Sequence, residues 1–492
     1  MRYNYPRHSP KAWYRCSLLS IEISILEIFL LIQYIMAFGI IFFERRNPTS
    51  ALSWILVLLV LPVAGFFMYL FFGQDFTKKR LFSVKEEDDL RLMDAIGDQK
   101  KEIESEEIEC DDPIVAKYLG VIRMFLESNR AIITDDNDIF VYTDGNDKFG
   151  DLMHAIEEAR HHVHLQYYII RNDPLGRDIL ALLCRKAREG VEVRLLYDAM
   201  GMKIPKRQLV ELEEAGGRHA AFFPRLFTIN YRNHRKIAVI DGTCGFIGGY
   251  NIGEEYLGRG PLGNWRDAAI RIEGTGVIGL QIRFSMDWNH ASTEKISYSE
   301  DYFPIPSGKG DCPLQIVSSG PDSRWSQIKE GYLKLVNSAT RSIYIQTPYF
   351  IPDESVSDAL RMAALSGVDV RIMIPCKPDH PFVYWATYSF VGDLLETGVR
   401  GYTYDNGFIH AKTIVVDGIA ASVGSANWDV RSFRLNFEAN AFLYDEKYAG
   451  QLKAAFENDL SFCTEITPES YQNRPRRIKI KEQVSRLFSP LG

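Results

Sequence analysis

Cysteine is sparse and unpatterned in this chain. Seven cysteines, at positions 16, 110, 184, 244, 312, 376 and 463, are scattered and never spaced Cys-x-x-Cys. This argues against a disulfide scaffold or a cysteine-held zinc, and the thiols read as reduced and buried in a reducing compartment. Positive charge is short as well: 57 Lys and Arg stand against 64 Asp and Glu, for a net charge of −7. Bulk, sequence-independent nucleic-acid binding needs a dense cationic surface and is disfavoured, whereas a small cationic pocket is not. The glycine-rich GFIGGYN (245–251) lacks a full Gly-x-Gly-x-x-Gly and does not read as a dinucleotide loop.

Hydrophobic residues make up 46% of the 492 residues, a length suited to more than one domain. Two apolar runs stand out. Residues 18–43 carry only Glu22 and Glu27 near their start, and residues 51–72 carry no charge over 22 positions. A bilayer core needs about 20 such residues, so two transmembrane helices are predicted, joined by the short 44–50 loop as a hairpin. The first run is long and ends at Glu-Arg-Arg without a small-residue cleavage site, unlike a signal peptide. Arg2, Arg7, Lys11 and Arg15 precede the hairpin and Lys78, Lys79 and Arg80 follow it, against Arg45 and Arg46 alone in the loop. Both ends are therefore expected on the cytoplasmic side.

Residues 73–112 read as a charged linker. From 113 onward short apolar strands alternate with helical stretches, an α/β pattern. HVHLQYYII (162–170), DILALLCRKAREG (178–190) and VEVRLLYDA (191–199) read as strand, helix and strand. SIYIQTPYFI (342–351), VSDALRMAALSG (356–367) and VDVRIMIP (368–375) repeat that order. Two similar domains are expected, at 113–310 and 311–492.

Each half then reaches the same chemical set. His234-Arg-Lys236, Asp241 and Gly248-Gly-Tyr-Asn251 are followed by His410-Ala-Lys412, Asp417 and Gly424-Ser425-Ala-Asn427, and the two histidines, aspartates and asparagines are each 176 residues apart. On a strand, His234 and Lys236 share a face about 7 Å apart, as do His410 and Lys412. Asp241 and Asp417 fall on the opposite parity, and each is read as ordering the turn at its strand's end. Glycines allow close backbone approach to a ligand, and Asn251 and Asn427 can donate to phosphate oxygens. The duplicated set suits a reaction at a phosphodiester that needs two histidines in different roles.

The two motifs resemble the HKD motifs of the phospholipase D superfamily, and more of the chain is similar to its bacterial cardiolipin synthases. The matching stretches are NYRNHRKIAVIDG (230–242), GFIGGYNIGEEY (245–256), NWRDAAIRIEG (264–274), QTPYFIPDE (346–354), FIHAKTIVVDG (408–418) and GSANWDVRSFRLNFEAN (424–440), with the hydrophobic hairpin and the closing RLFSPLG (486–492). Gly-Ser-Ala-Asn-Trp stands where Gly-Thr-Ala-Asn-Leu is more usual, and a hydroxyl is kept.

The resemblance implies two phospholipase D-like α/β/α domains packed as a pseudo-twofold pair behind the transmembrane hairpin, in a multi-pass protein of the bacterial inner membrane with cytoplasmic catalytic domains. It implies phosphatidyl transfer between two phosphatidylglycerol molecules through a phosphohistidine, giving cardiolipin and glycerol, with no metal or cofactor and no nucleic acid. Its catalytic set is His234, Lys236, Asp241, His410, Lys412 and Asp417. His234 is the implied nucleophile and His410 the general acid and base; Asn251, Asn427 and Ser425 would bind phosphate. Asp267 would orient His410, and Glu438 would orient His234, each from the opposite half. The alternative is a hydrolase with the same machinery, acting on phospholipid or, less readily, on nucleic acid.

Other histidines carry no duplicated pattern. His161, His162 and His164 read as a partly exposed strand start and not as metal ligands. Tyr167-Tyr168 and Tyr349-Phe350 read as core or pocket wall. The basic stretch Arg474 to Lys481 reads equally as a lipid-facing segment or as a solvated helix end.

Overall fold

A computed structural model describes residues 48–69, 112–222, 230–297, 299–304 and 308–488, with Gln99 and scattered positions between 31 and 39. Most of the first apolar run and of the 73–112 linker lies outside the described residues.

Within the second apolar run the chain forms two helices, Pro48–Val60 and Pro62–Met68. Pro62 has no N–H to continue the ladder, which divides the expected single helix. Among the described residues no helix is long and apolar enough to cross a membrane. Trp54, Leu58 and Tyr69 pack together, while Leu52, Leu56, Leu59 and Phe67 are exposed.

Among the described residues from 112 on, the chain is built on one main sheet and two separate two-stranded pairs. The first half contributes β1 (Thr134–Tyr142), β2 (His162–Tyr167), β3 (Glu192–Asp198), β4 (Arg218–Phe222), β5 (Arg232–Asn233), β6 (Ile237–Ile240), β7 (Cys244–Gly248), β8 (Trp265–Arg266) and β9 (Ala269–Glu273). The second contributes β10 (Cys312–Ser319), β11 (Ser342–Gln346), β12 (Phe350–Ile351), β13 (Asp369–Pro375), β14 (Arg400–Tyr404), β15 (Phe408–Ile409), β16 (Thr413–Val416), β17 (Ala420–Gly424), β18 (Trp428–Asp429), β19 (Asn436–Leu443) and β20 (Cys463–Ile466). The strand order is β20-β14-β13-β11-β16-β17-β19-β10-β1-β9-β7-β6-β2-β3-β4. Outward from the antiparallel β1–β10 junction, both halves run through the same sequence of strands: β1-β9-β7-β6-β2-β3-β4 on one side and β10-β19-β17-β16-β11-β13-β14 on the other. The internal repeat read from the motifs is thus a repeat of topology.

Local chemistry explains the elements. The helices Pro113–Asn129, Pro174–Arg188, Glu354–Leu365 and Glu446–Leu460 are capped by Asp112, Asp173, Asp353 and Asp445, whose carboxylates accept from first-turn amides. The equivalent helices Pro174–Arg188 and Glu354–Leu365 give way to Gly190 and Gly367, both at positive φ, before the chain returns as β3 and β13. These helices cover the apolar face of β2, through Val163 and Leu165, and of β13, through Val370 and Ile372. A cluster holding Val239 and Ile270 with Val415 and Ala441 forms the seam between halves.

Two expectations change. Helix Pro113–Asn129, assigned by position to the first domain, buries Tyr118, Val121 and Phe125 with Tyr332 and Phe442 of the second half. An amphipathic helix packs wherever an apolar face is uncovered, not where sequence order puts it. His162 and His164, expected partly exposed, are fully buried, because helix Gly276–Ala291 covers their face and Phe284 stacks on His164 at 4.5 Å.

Candidate active site

The two His-x-Lys stretches lie in extended chain just before β6 and β16, not within those strands. Each is held by a short parallel pairing with the opposite half. β5 pairs with the start of β19, and the His234 amide donates to the Phe437 carbonyl at 2.9 Å. β15 pairs with β8, and the His410 amide donates to the Arg266 carbonyl at 2.7 Å. The residue after each of those carbonyls is the expected carboxylate, Glu438 or Asp267. The backbone pairing therefore delivers each carboxylate to the other half's imidazole.

His234 Nδ1 lies 3.0 Å from both Glu438 oxygens and 3.1 Å from the Ser425 carbonyl. His410 Nδ1 lies 2.5 Å from Asp267 Oδ2. A carboxylate partner makes Nδ1 the protonated nitrogen and leaves Nε2 with a free lone pair. Glu438 is itself held by the Ser425 hydroxyl at 2.5 Å and the Asn436 amide at 3.1 Å. Ser425 thus gives its hydroxyl to the carboxylate. Asp267 accepts from the Ala268 amide at 2.7 Å. Both carboxylates are fully buried.

Lys236 Nζ donates to the His234 carbonyl and Lys412 Nζ to the His410 carbonyl. Lys412 Nζ also lies 2.8 Å from His410 Nδ1; with Nδ1 donating to Asp267, the ammonium is held by the carbonyl. Burial pushes Lys236 well below the usual ammonium value and Lys412 down to about 8. Burial likewise lowers both imidazoles to about 4, so each is neutral at pH 7. The lysine charge of either half acts on both histidines, so the two sets share one electrostatic environment. Burial alone would raise Glu438, but His234 and Lys236 outweigh it and hold the carboxyl below its ordinary value.

Asp241 and Asp417 stand elsewhere. With Gly242 and Gly418 they occupy positive-φ positions in the β6–β7 and β16–β17 hairpins, as a type I′ turn requires. Asp241 accepts from the amides of Arg160, His161 and His162 at 2.8–2.9 Å. Asp417 does the same for Thr340, Arg341 and Ser342, and pairs with Lys117 at 2.7 Å. Neither carboxylate touches a motif histidine or lysine. The opposite strand parity already pointed to this turn-ordering part; the catalytic grouping implied by the resemblance does not describe their contacts.

Asn251 donates to the Tyr256 hydroxyl at 3.0 Å and accepts from the Ile169 amide at 3.2 Å. Asn427 is buried with no partner for its amide oxygen among the described residues. Aromatic walls were only partly legible. Tyr168 stands edge-on to His234 at 5.0 Å, whereas its neighbour Tyr167 is core and takes a bond from buried Lys148. Trp265 covers His410 at 5.1 Å, and the Tyr256 hydroxyl lies 3.4 Å from its Nδ1. Trp265 and Tyr256 sit inside the matching stretches, but nothing in their spacing singled them out. Among the described residues, no group of three or more His, Cys, Asp or Glu is placed to hold a metal ion.

The family model described as "Cardiolipin synthase, PLD-like domain" matches residues 152–277 and again 332–460. The chain belongs to this family. A second model, the phospholipase D-nuclease N-terminal region, matches residues 32–74. The chain is 48% identical over 481 residues to the major cardiolipin synthase ClsA of Bacillus subtilis (strain 168), covering 96% of this chain and all of that one. It is 48% identical to the cardiolipin synthase of Listeria innocua over 95% of this chain and 98% of that one. Among solved structures, phosphatidylserine synthase of Haemophilus influenzae aligns with a TM-score of 0.56 at 14% identity, over 75% of this chain and 99% of that one. That likeness supports the two-domain phospholipase D-like fold, and the two matched segments of the cardiolipin synthase model coincide with the two halves of the sheet.

Proposed function

We propose that the chain is a membrane-bound cardiolipin synthase that transfers a phosphatidyl group from one phosphatidylglycerol to another. The observation that carries this reading is the crossed pair of histidine–carboxylate contacts, which leaves two neutral Nε2 atoms in one lysine-lined pocket. His234 Nε2 attacks the donor phosphorus. The bond from phosphorus to the headgroup glycerol oxygen breaks, His410 protonates that oxygen, and glycerol leaves. The terminal hydroxyl of the second phosphatidylglycerol then gives its proton to His410 and attacks the phosphohistidine. The new P–O bond forms, the P–N bond breaks, and cardiolipin is released. Lys236, Lys412 and the carboxamides of Asn251 and Asn427 stabilise charge on the phosphoryl oxygens.

His410 must be a proton donor in the first step, yet burial holds it neutral before a phosphodiester binds. The phosphodiester's own negative charge raises the imidazole as it arrives, so substrate binding brings the proton. Two neutral histidines also spare the protein the cost of burying further charge beside Lys236 and Lys412.

Membrane anchoring falls to the N-terminal region. Leu52, Leu56, Leu59 and Phe67 stand exposed on its described helices, a surface suited to lipid and costly in water. The hairpin and the cytoplasmic placement of the catalytic domains at the bacterial inner membrane are part of this proposal.

Detergent-solubilised protein with phosphatidylglycerol as sole lipid should yield cardiolipin and glycerol in equal amounts by mass spectrometry. His234→Ala should abolish both. Phosphatidic acid without cardiolipin would make the protein a hydrolase and overturn the transferase reading.

A further inference from the structure

Transfer to a second lipid brings a second phosphate into the site. The acceptor carries its own phosphodiester, separated by the glycerol carbons from the hydroxyl that attacks. His234, Lys236, His410 and Lys412 serve the phosphorus that reacts, and none is left over for the other.

Two arginines stand beside that centre without a close ion pair among the described residues. Arg232 lies two residues before His234, at the register position opposite Asn436. Arg431 lies in the short helix Val430–Arg434 of the other half, and its guanidinium donates to the Asn230 side-chain oxygen at 3.0 Å and to the Asn230 carbonyl at 2.8 Å. Arg232 donates to the Tyr231 carbonyl at 2.9 Å. Among the described residues, no carboxylate lies within 4 Å of either guanidinium. Other arginines near the motifs are paired: Arg235 with Asp287 at 2.6 Å, Arg266 with Asp459 at 2.9 Å, and Arg434 with Asp353 at 3.7 Å.

The acidic groups nearest the two arginines are already engaged. Asp198 accepts from the amides of Met200, Gly201 and Asn233, and Asp429 caps its helix by accepting from Ser432 at 2.6 Å. Burial raises both carboxyls, Asp429 to about 6, which weakens them as counter-ions. Burial and then the neighbouring Arg232 charge push Arg431 down. Two partly buried like charges destabilise one another until an anion joins them.

Tyr168 fixes where this pair sits. Its ring is edge-on to His234 at 5.0 Å and lies 5.4 Å from Lys236 Nζ, and its phenol feels the charge of both arginines. Arg232 precedes His234 by two residues and Arg431 holds Asn230, two residues before Arg232, so the pair lies on the segment that carries the first motif and draws one arginine from each half.

We propose that Arg232 and Arg431 form a second phosphate subsite, which binds the phosphodiester of the acceptor lipid and so presents its terminal hydroxyl to the phosphohistidine. Guanidinium forks suit the paired oxygens of a phosphodiester better than ammonium groups do. Water carries no phosphate and gains nothing from the pair, so the subsite favours transfer over hydrolysis. This inference rests on the transferase reading above.

Two reactions of the full-length protein separate its parts. Exchange of labelled glycerol into phosphatidylglycerol needs the donor centre alone; cardiolipin formation needs the second phosphate as well. Arg431→Gln and Arg232→Gln should each lower the ratio of cardiolipin formation to glycerol exchange about tenfold or more, the loss expected for one charge-assisted hydrogen bond. Arg431→Lys should recover part of it. A ratio held at the wild-type value, with both reactions reduced together or both unaffected, would overturn the subsite. Calorimetric titration with glycerol 1-phosphate gives an activity-free reading on His234→Ala protein: two binding events are expected, and one when Arg431→Gln is added. A single event in both proteins would overturn the subsite whatever the reaction. Two events on His234→Ala protein, with wild-type protein that makes no cardiolipin from phosphatidylglycerol, would support the anion site and overturn the transferase reading instead.

Discussion

Glu438 reaches His234 across the seam between the halves, with both carboxylate oxygens 3.0 Å from Nδ1. Asp267 repeats the contact on His410 in the opposite sense. Replacing either carboxylate by its amide keeps the shape but lets the imidazole adopt the wrong tautomer. Glu438→Gln and Asp267→Asn are each expected to lower kcat by on the order of 10³–10⁴-fold, as for comparable buried carboxylates behind a catalytic histidine. Steady-state kinetics beside a thermal melt checks this. A variant with near wild-type turnover would remove the orienting role.

The two histidines should separate when the leaving group is changed. With a phosphatidyl ester of an acidic phenol, departure needs no proton, so His410→Ala should still form the covalent intermediate and accumulate it. An acid-labile phosphatidyl group on His234, found by peptide mass spectrometry, is the expected result. Label on another residue, or none, would reassign the nucleophile.

Asp241 and Asp417 are expected to govern stability more than chemistry. Each gathers three backbone amides at the start of a central strand. Asp241→Ala should cost about 2 kcal/mol, by the scale of hydrogen bonds to charged groups. Asp417→Ala should cost more, since it also strands Lys117. Denaturant midpoints measure this, and turnover per folded molecule should change little. A large loss of kcat in fully folded Asp241→Ala would contradict the assignment.

Four histidines set the acid limb of stability. Burial lowers His162 to about 2, His164 to about 3, and His234 and His410 to about 4, against 6.5 when unfolded. Between pH 6.5 and 4 the unfolded chain therefore binds more protons than the native one, and stability falls as pH falls through that window. The lowered carboxyl of Glu438 acts in the same direction at still lower pH. The urea midpoint should drop from pH 7 to pH 5, and equal midpoints would refute the buried neutral state. The same logic applies to binding. A tetrahedral oxyanion such as vanadate should take up a proton on entering the site, read as a buffer-dependent calorimetric enthalpy.

Behind His234, the buried Arg235–Asp287 pair locks the motif to helix Gly276–Ala291. Asp287→Asn leaves a guanidinium uncompensated in the core and should destabilise by about 3–5 kcal/mol. Chemical denaturation reads it directly, and a loss below 1 kcal/mol would mean that Gln166 or water replaces the carboxylate.

Much of this was legible because the chemistry is written twice. The constant offset between His234 and His410 exposed the duplication, and alternation along KIAVID and KTIVVD placed both aspartates off the histidine face. The crossing of Asp267 and Glu438 came from family resemblance alone, since the pairing of β5 with β19 spans only two residues on each strand and leaves no local trace in the sequence. Burial of His162 and His164 was missed because a polar strand face looks exposed until a helix covers it. The contact of Ser425 with Glu438 was not legible for a similar reason: a hydroxyl has several possible partners along a sequence, and only distance shows Glu438 as one. Helix Pro113–Asn129 was misassigned because apolar periodicity states that a face will be covered, not by which half.

On the mechanism proposed above, the parallel pairing of β5 with β19 and of β15 with β8 means that neither repeat is competent by itself. A single repeat would own a histidine but lack the acid that aims it, and only a second copy could lend that acid in return. Exchange between repeats is thus a condition of chemistry, and a change that loosens one strand pairing would silence a histidine whose own segment is intact.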